Sequence, residues 1–502
     1  MTLLLWLSSW SNISVLGVFL TVFTVLVDFM KRRKKWSCYP PGPVSLPFVG
    51  TMPYVNYNNP ILSFEKFRKK FGNVFSLQNC WTNVVVLNGY NTVKEALVNK
   101  SEDFADRPYM PIYEHLGYGH KSEGIVLAKY GHVWKELRKF TLITLRNFGM
   151  GKKSLEERVT EEAGFLCSAI SSEGGRPFDL HLLVNNAVSN VICTITYGER
   201  FEYGDETFKK LLTLFENSLN EEIGLLPELL QVVPILLRIP GLPQMIFRCQ
   251  KEYIDFTEML IEKHKETWNP AYTRDFTDAF LKEMAKGNEA EVNGFNRTNL
   301  SFVTSDLLAA GSQTTSTTLR WAFLFMLLYP EIQSKVHKEI DKVIGRNRPP
   351  TMADQANMPY TNAVIHEVQR CGDIIPMGLP HMTYRDTKLQ GFFIPKGTTI
   401  ITNLTSVLKD ETVWKKPNEF YPEHFLNENG EFVRPEAFLP FSAGRRACLG
   451  EQLAKMELFI FFTTLMQKFT FVIPEDQPRP REDGHFAFIN SPHPYQLQAV
   501  PR

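Results

Sequence analysis

Cys448 stands in Phe441-Ser442-Ala443-Gly444-Arg445-Arg446-Ala447-Cys448-Leu449-Gly450, directly before an apolar helical pattern. A thiolate bound to iron needs N–H donors around its sulfur to hold its potential, and glycines let backbone N–H groups come close. A helix beginning at the cysteine adds its positive end, and Arg446 is placed to neutralise a haem propionate. The other cysteines, at 38, 80, 167, 193, 249 and 371, form no CxxC pair. They make neither a disulfide framework nor a zinc ribbon, and read as buried small hydrophobes or surface thiols in a reducing compartment.

Residues 301–329 read as a long apolar helix with a polar stripe of Asp306 and Thr314, Thr315, Ser316, Thr317 and Thr318. Gly311 in its middle costs about 1 kcal/mol relative to Ala, so a reason other than helix stability is expected, and room for dioxygen is that reason. Thr317 and Thr318 read as bonding back to their own helix. Asp306 lies eight residues before Thr314, about 80° around the helix, so both can border one cavity. Its carboxylate is costly to bury unpaired; its other reading is to tie down a neighbouring loop backbone. Glu367 and Arg370, three apart, share a helical face and can pair.

Helical periodicity over 62–71, 92–99, 131–147, 153–172, 205–220, 244–268, 299–328, 330–344, 360–371 and 448–467 predicts a body that is mainly α with a small β part. Strand-like runs are 74–78, 83–87, 388–394 and 398–403. From Thr2 to Val27 there is no charge, and Lys31, Arg32, Arg33, Lys34 and Lys35 follow. That order fits an uncleaved anchor with a cytosolic body, since a cleaved signal has its basic residues first. The sequons at Asn12, Asn99, Asn296, Asn299 and Asn403 then escape glycosylation. Pro40, Pro41, Gly42, Pro43 and Pro47 make a stiff spacer. The expected organisation is anchor 1–30, basic and Pro-rich linker 31–50, and one catalytic domain 51–502. An apolar run from Ile223 to Phe247 is broken by four prolines, which argues against a second span. It is either a buried connector or, as its exposed-patch character favours, a loop dipping into the membrane leaflet. With 502 residues, 22% charged, and a net charge of +1, no global field points to nucleic acid.

The FxxGxRxCxG segment resembles the signature of the cytochrome P-450 superfamily with every fixed position filled. Likeness extends along the chain and looks closest to the vertebrate drug-metabolising family two, subfamily D, through Phe75-Ser76-Leu77-Gln78, Ala105-Asp106-Arg107-Pro108, Thr144-Leu145-Arg146-Asn147, Ala187 to Ile192 and Met358-Pro359-Tyr360-Thr361. The resemblance implies a triangular helical haem domain behind one transmembrane helix. It makes Cys448 the axial ligand of haem b (iron protoporphyrin IX), with Phe441, Gly444, Arg446 and Gly450 in support. Trp134, Arg138, Arg107 and His381 are expected at the propionates, and Glu367–Arg370 as the family's buried ExxR pair. Pro422-Glu423-His424-Phe425 departs from the family's PERF-like segment, so the third partner of that pair is expected to be weaker or pH-dependent.

By the same likeness, Ala310-Gly311-Ser312-Gln313-Thr314-Thr315 is the oxygen-activating segment. Thr314 helps deliver protons so that the O–O bond breaks heterolytically, although Gln313 replaces the usual acid and leaves delivery to water and Thr314. Members of the subfamily hydroxylate or O-dealkylate lipophilic basic amines held by acids, which Asp306 and Glu222 match. Ala310, Leu379 and Phe488 match cavity positions, and Val126 replaces the usual aromatic, predicting a wider cavity there. The implied enzyme is an unspecific monooxygenase of the endoplasmic reticulum that uses O2 and NADPH-derived electrons. No GxGxxG follows a strand at the right place, so a separate flavoprotein reductase, with a cytochrome b-type protein as a second possible donor, must supply them. Its docking face is expected at Lys135, Lys139, Arg146, Lys152, Lys153 and Arg445. The rival readings are a peroxide-rearranging enzyme, an oxygenase of endogenous lipids such as fatty acids, and a non-catalytic membrane haem protein.

Overall fold

In the computed structural model one helix, Trp10–Trp36, holds the described part of the charge-free run and the basic residues that follow it. Its window Ser14–Lys31 has a mean hydropathy of 1.8 and none of it is buried. A helix of that length and composition can cross a bilayer, with Val18, Phe19 and Phe23 turned outward. The structure describes residues 10–36, 39–115, 123–221 and 224–502. Glu222 and Cys38 lie outside them.

The chain divides into two compact units, Met1–Pro108 with Leu379–Asn403, and Tyr109–Gly378 with Leu404–Arg502. In the first, β-branched residues build a four-stranded sheet: β1 (Val74–Asn79), β2 (Thr82–Leu87), β3 (His381–Met382) and β6 (Thr399–Thr402), in the order β1-β2-β6-β3. β1 and β2 are antiparallel with Val74 opposite Leu87, whereas β2 and β6 are parallel. Val84 to Leu87 are buried, as a central strand requires. The strand-like run at 388–394 is a hairpin rather than one strand, β4 (Thr387–Leu389) and β5 (Phe392–Ile394). It turns at Gln390 and Gly391, both at positive φ (49° and 84°), the conformation that tight hairpins favour.

The second unit is helical, with two short pairs, β7 (Phe469–Val472) with β10 (Gln498–Pro501) and β8 (Gly484–His485) with β9 (Ser491–Pro492). At its centre lies the 32-residue helix Arg297–Leu328. The Asn296 side chain caps its start by accepting from Asn299 N, and it ends just before Pro330. Its buried residues, small polar ones such as Ser301, Thr304 and Ser316 among them, lie on all sides of the helix. The helix His181–Tyr197, whose buried residues likewise run round it, packs beside it. A Cβ on Gly311 would stand 2.5 Å from Ile192 Cδ1 of that helix. The space beside Gly311 is therefore filled by Ile192, and the glycine serves a close helix crossing rather than making room for dioxygen.

The proline-broken run after Ile223 forms a helix, Leu225–Val232, a turn, Pro234–Arg238, and a short helix, Leu242–Ile246. Leu230, Leu237 and Phe247 pack against Ile112, Ile254 and Phe302, while Leu225, Ile235, Ile239 and Met245 are exposed. One face of the run is thus a buried connector, and the other is exposed and apolar.

Candidate functional site

Ser442 (φ 58°) and Gly444 (φ 74°) turn the chain through the left-handed region ahead of Cys448, and Cys448 N donates to Phe441 O at 2.9 Å. The glycine removes the Cβ penalty of that conformation. Gly450 differs: its φ is −90° and a Cβ there would meet no protein atom within 4 Å. The following helix starts at Glu451, three residues beyond the cysteine, rather than at the cysteine itself. The N–H groups at its start still reach the sulfur: burial and the Glu451 carboxylate push the Cys448 thiol up, while backbone N–H of Gly450 and Glu451 and the Arg138 guanidinium pull it down. Cys448 is surrounded by protein on nearly all sides and yet keeps accessible surface. A deep group that remains accessible borders an internal space.

Two guanidiniums flank one indole beside this loop. Arg446 lies 4.0 Å and Arg138 5.6 Å from the Trp134 ring centroid, a cation–π arrangement that burial strengthens. Arg138 donates to Ala447 O at 2.6 Å. Arg446 donates to Ile125 O at 3.2 Å and Ala128 O at 2.6 Å. Trp134 Nε1, expected at a propionate, donates to Ile125 O at 3.1 Å.

On the Arg297–Leu328 helix, Ala310 is exposed, and Asp306, Leu307, Ala309, Gly311 and Thr314 are half-buried, so this strip also faces internal space. The Thr314 hydroxyl donates to Ala310 O at 2.7 Å, and Thr318 to Thr314 O at 2.8 Å. Thr317 does not bond back; its hydroxyl is buried without a partner. Gln313 is buried. Asp306 Oδ2 accepts from Ile125 N at 2.7 Å and Val126 N at 3.0 Å, so the loop-tying role is realised. Burial still pushes this carboxyl up to about 6, against the two N–H groups that lower it. Asp306 too is enclosed yet partly accessible. Gly124, at φ +85°, makes the contact possible, since a Cβ there would be 2.6 Å from Asp306 Oδ2.

Glu367 and Arg370 are wholly buried and form a bidentate pair, Nε to Oε2 at 2.8 Å and NH2 to Oε1 at 2.7 Å. Arg370 also donates to the carbonyls of Leu408, Pro417 and Glu419, and Tyr421 N donates to Glu367 Oε1 at 2.8 Å. The expected pair is thus a hub for the 408–421 backbone. His424 is its third member: Lys416 N donates to Nε2 at 3.0 Å, which leaves the ring proton on Nδ1, 3.2 and 3.3 Å from the Glu367 oxygens.

Arg107, His381 and Leu379 come together within the first unit. Arg107 NH1 donates to Leu379 O at 3.2 Å and Pro380 O at 2.6 Å, and His381 Nδ1 is 2.8 Å from Phe104 O. Phe488 is half-buried in the loop between β8 and β9, which Trp321 Nε1 holds through Asn490 O at 3.0 Å. Glu222 falls outside the described residues; its neighbour Glu221 caps Cys249 N (2.9 Å) and Gln250 N (3.1 Å). A buried cluster that the sequence reading missed sets His264 between Asp275 (3.2 Å) and Asp278 (2.9 Å), with Arg274 on Asp278 at 2.7 Å. Every member is ion-paired, which reads as structural. Lys135, Lys139, Arg146, Lys152, Lys153 and Arg445 are all exposed. The six described cysteines are free, as the spacing implied.

A thiol supplied with N–H donors, flanking guanidiniums and an uncovered strip on the central helix form a set that suits an iron porphyrin. Comparison with known proteins agrees. The family described as cytochrome P450 matches residues 40–499. Cytochrome P450 2D14 of Bos taurus is 56% identical over 500 residues, covering 99% of this chain and 100% of that protein. Cytochrome P450 2D6 of Homo sapiens is 56% and cytochrome P450 2D3 of Rattus norvegicus 55% identical, each over 97% of this chain and 98% of its own length. With the fold and the cysteine loop in agreement, the chain belongs to the cytochrome P450 family, the haem-thiolate monooxygenases.

Proposed function

We propose that this monooxygenase hydroxylates or dealkylates lipophilic basic amines, xenobiotics above all, with Asp306 as the anchor for the cationic nitrogen. The observation that carries the reading is Asp306 itself: a carboxyl on an apolar helix, partly accessible inside the fold, held by two backbone N–H groups and by no cationic side chain among the described residues. A protonated amine supplies the missing counter-charge, while the apolar remainder of the substrate reaches toward Ala310 and Thr314. Glu222 is the proposed second acid, and Val126, Leu379 and Phe488 the proposed walls, Val126 leaving orientation loose.

Bound haem supplies oxygen activation. Around it, Cys448 is the proposed ligand, its sulfur held by the Gly450 and Glu451 N–H groups. Phe441 and Gly444 shape the loop, and Arg138 and Arg446 balance negative charge; Arg107 and His381 are proposed at the same cofactor. Thr314 is the proposed proton-holding group. Its hydroxyl donates to Ala310 O, which leaves its lone pairs to accept from water, while the Gln313 amide cannot replace a carboxylic acid as a proton source. Electrons come from NADPH through a flavoprotein reductase, or a cytochrome b-type donor, docking on the exposed Lys135–Arg445 patch. Tyr130 gathers two of its cations, with Lys135 4.8 Å and Arg445 5.9 Å from the ring. The anchor places the enzyme in the endoplasmic reticulum membrane, catalytic body cytosolic, and the exposed face around Ile235 and Met245 dips into the same leaflet.

Haem spin-state titration with matched amines and neutral analogues tests the reading. Amines are expected to bind more tightly, with affinity falling as the pH drops below about 6 and Asp306 takes up a proton. Neutral analogues that shift the spectrum as well as amines do would remove Asp306 as the anchor.

A further inference from the structure

Two charged side chains act on the Cys448 sulfur with opposite sign: the Arg138 guanidinium favours the thiolate, and the Glu451 carboxylate opposes it. Glu451 is the first residue of the helix Glu451–Lys468, where a carboxylate meets the positive end of the helix. Its own backbone N–H donates to the sulfur. Its side chain is clamped from two directions. Lys455 Nζ, one turn on, lies 2.6 Å from Oε1, in the Glu-to-Lys order that suits this spacing. Arg434 NH1, from outside the helix, is 3.6 Å from the same oxygen. Both cations are themselves held. Arg434 donates to Phe438 O at 3.3 Å, with its guanidinium 5.5 Å from the Phe438 ring. Lys455 Nζ stands 5.9 Å from the ring of Phe441, which opens the cysteine loop. Glu451 and Lys455 are half-buried and Arg434 is exposed, so solvent damps their fields without erasing them.

We propose that Glu451 is a tuning residue for the haem: its carboxylate, held in place by Lys455 and Arg434, biases the iron toward the ferric form. The inference rests on Cys448 as the iron ligand and extends that reading to the charge around the bond. The redox step concerned moves one electron from the reduced flavoprotein to the ferric haem. The flavin is oxidised, the iron is reduced, and no bond of the chain is made or broken. A ferric centre carries one positive charge more than a ferrous one, so a carboxylate close to the thiolate stabilises it, and a cation stabilises the reduced form instead. Lys455 and Arg434 are positioning residues that fix where the carboxylate sits and offset part of its field. The backbone N–H donors give the sulfur fixed dipoles that side-chain variants keep. Glu451 adds a full charge that exchanging one oxygen for an amide nitrogen removes, so the two contributions separate by experiment.

Spectroelectrochemical titration of the substrate-free, full-length holoenzyme tests it, with the carbon monoxide band of each protein recorded alongside. E451Q keeps the side-chain size and loses the charge. It is expected to move the ferric–ferrous equilibrium about 3- to 10-fold toward the reduced form, the upper figure being about 59 mV for one electron. K455M, which removes an offsetting cation, should move it about 2- to 5-fold the other way. The double variant E451Q/K455M should fall between the two singles, because field changes of opposite sign offset each other. E451D, which retains the charge, should stay closer to the wild type than to E451Q. A merely structural role would move E451Q and K455M in the same direction, since each breaks one ion pair. That result, or an E451Q shift smaller than about 2-fold, overturns the proposal and leaves Cys448 as ligand wherever the thiolate-type band is intact. Where E451Q does not hold haem, K455M and R434M decide: both must favour the ferric form, and a shift of either toward the reduced form overturns the proposal. A wild type without the thiolate-type band sinks the reading of Cys448 itself, and the tuning role with it.

Discussion

Two buried acids in the helical unit are held in opposite ways. Glu367 is wholly enclosed and fully answered: a bidentate guanidinium, a backbone N–H from Tyr421 and the His424 ring surround it. Asp306 has two backbone N–H groups and no cationic side chain among the described residues, remains partly accessible, and is pushed up to about 6. A fully compensated buried charge makes structure, because every partner is supplied by the fold. A carboxyl left short of a counter-charge beside an internal space is where a ligand can complete the set.

The contrast breaks first at the compensated end. R370L strands Glu367 and releases three backbone carbonyls; it is expected to cost about 3–5 kcal/mol, read as loss of haem incorporation and a collapsed denaturation midpoint. An R370L protein that folds and holds haem normally would remove the hub. G124A is next, because a Cβ at φ +85° meets Asp306 Oδ2. About 1–3 kcal/mol of stability should go, together with amine affinity, in paired melting and titration experiments.

D306N sharpens the other side. The amine is expected to bind about 10- to 100-fold more weakly, the range of a charge-assisted hydrogen bond. Because the carboxyl lies above its ordinary 3.8, ionisation opposes folding: wild-type stability should gain on D306N as the pH falls through about 6 and lose as it rises, before general acid unfolding sets in. The smallest stability effect belongs to T314A. Its hydroxyl bonds only its own helix, so melting should shift by less than about 0.5 kcal/mol, while the fraction of consumed NADPH appearing as product drops. Unchanged coupling would remove Thr314 from proton delivery.

The local chemistry was legible wherever residue types and spacing alone carry it. The cysteine loop, the Glu367–Arg370 pair and the Asp306–Thr314 helix all lie within single elements, so short patterns locate them. The helix His181–Tyr197 was not foreseen, because buried residues run round its circumference and leave little amphipathic period to read. The hairpin inside 388–394 was hidden by a continuous strand-like composition, although Gln390-Gly391 is a turn signal. Gly311 was assigned to the wrong neighbour, since only tertiary packing brings Ile192 against it. The carbonyl that Trp134 Nε1 meets belongs to residue 125, outside its own helix, and no local spacing displays that contact. Contacts between distant segments are set by the assembled fold, and a single chain read in order does not display them.

The central claim is the bond from Cys448 sulfur to iron, and the absorption of the reduced carbon monoxide complex reads it directly. The wild type is expected to give the red-shifted band of a thiolate-ligated haem, and C448A to lose it even if it retains pigment. A wild type without that band, or a C448A protein that keeps it unchanged, would contradict the assignment of this cysteine and the site built around it.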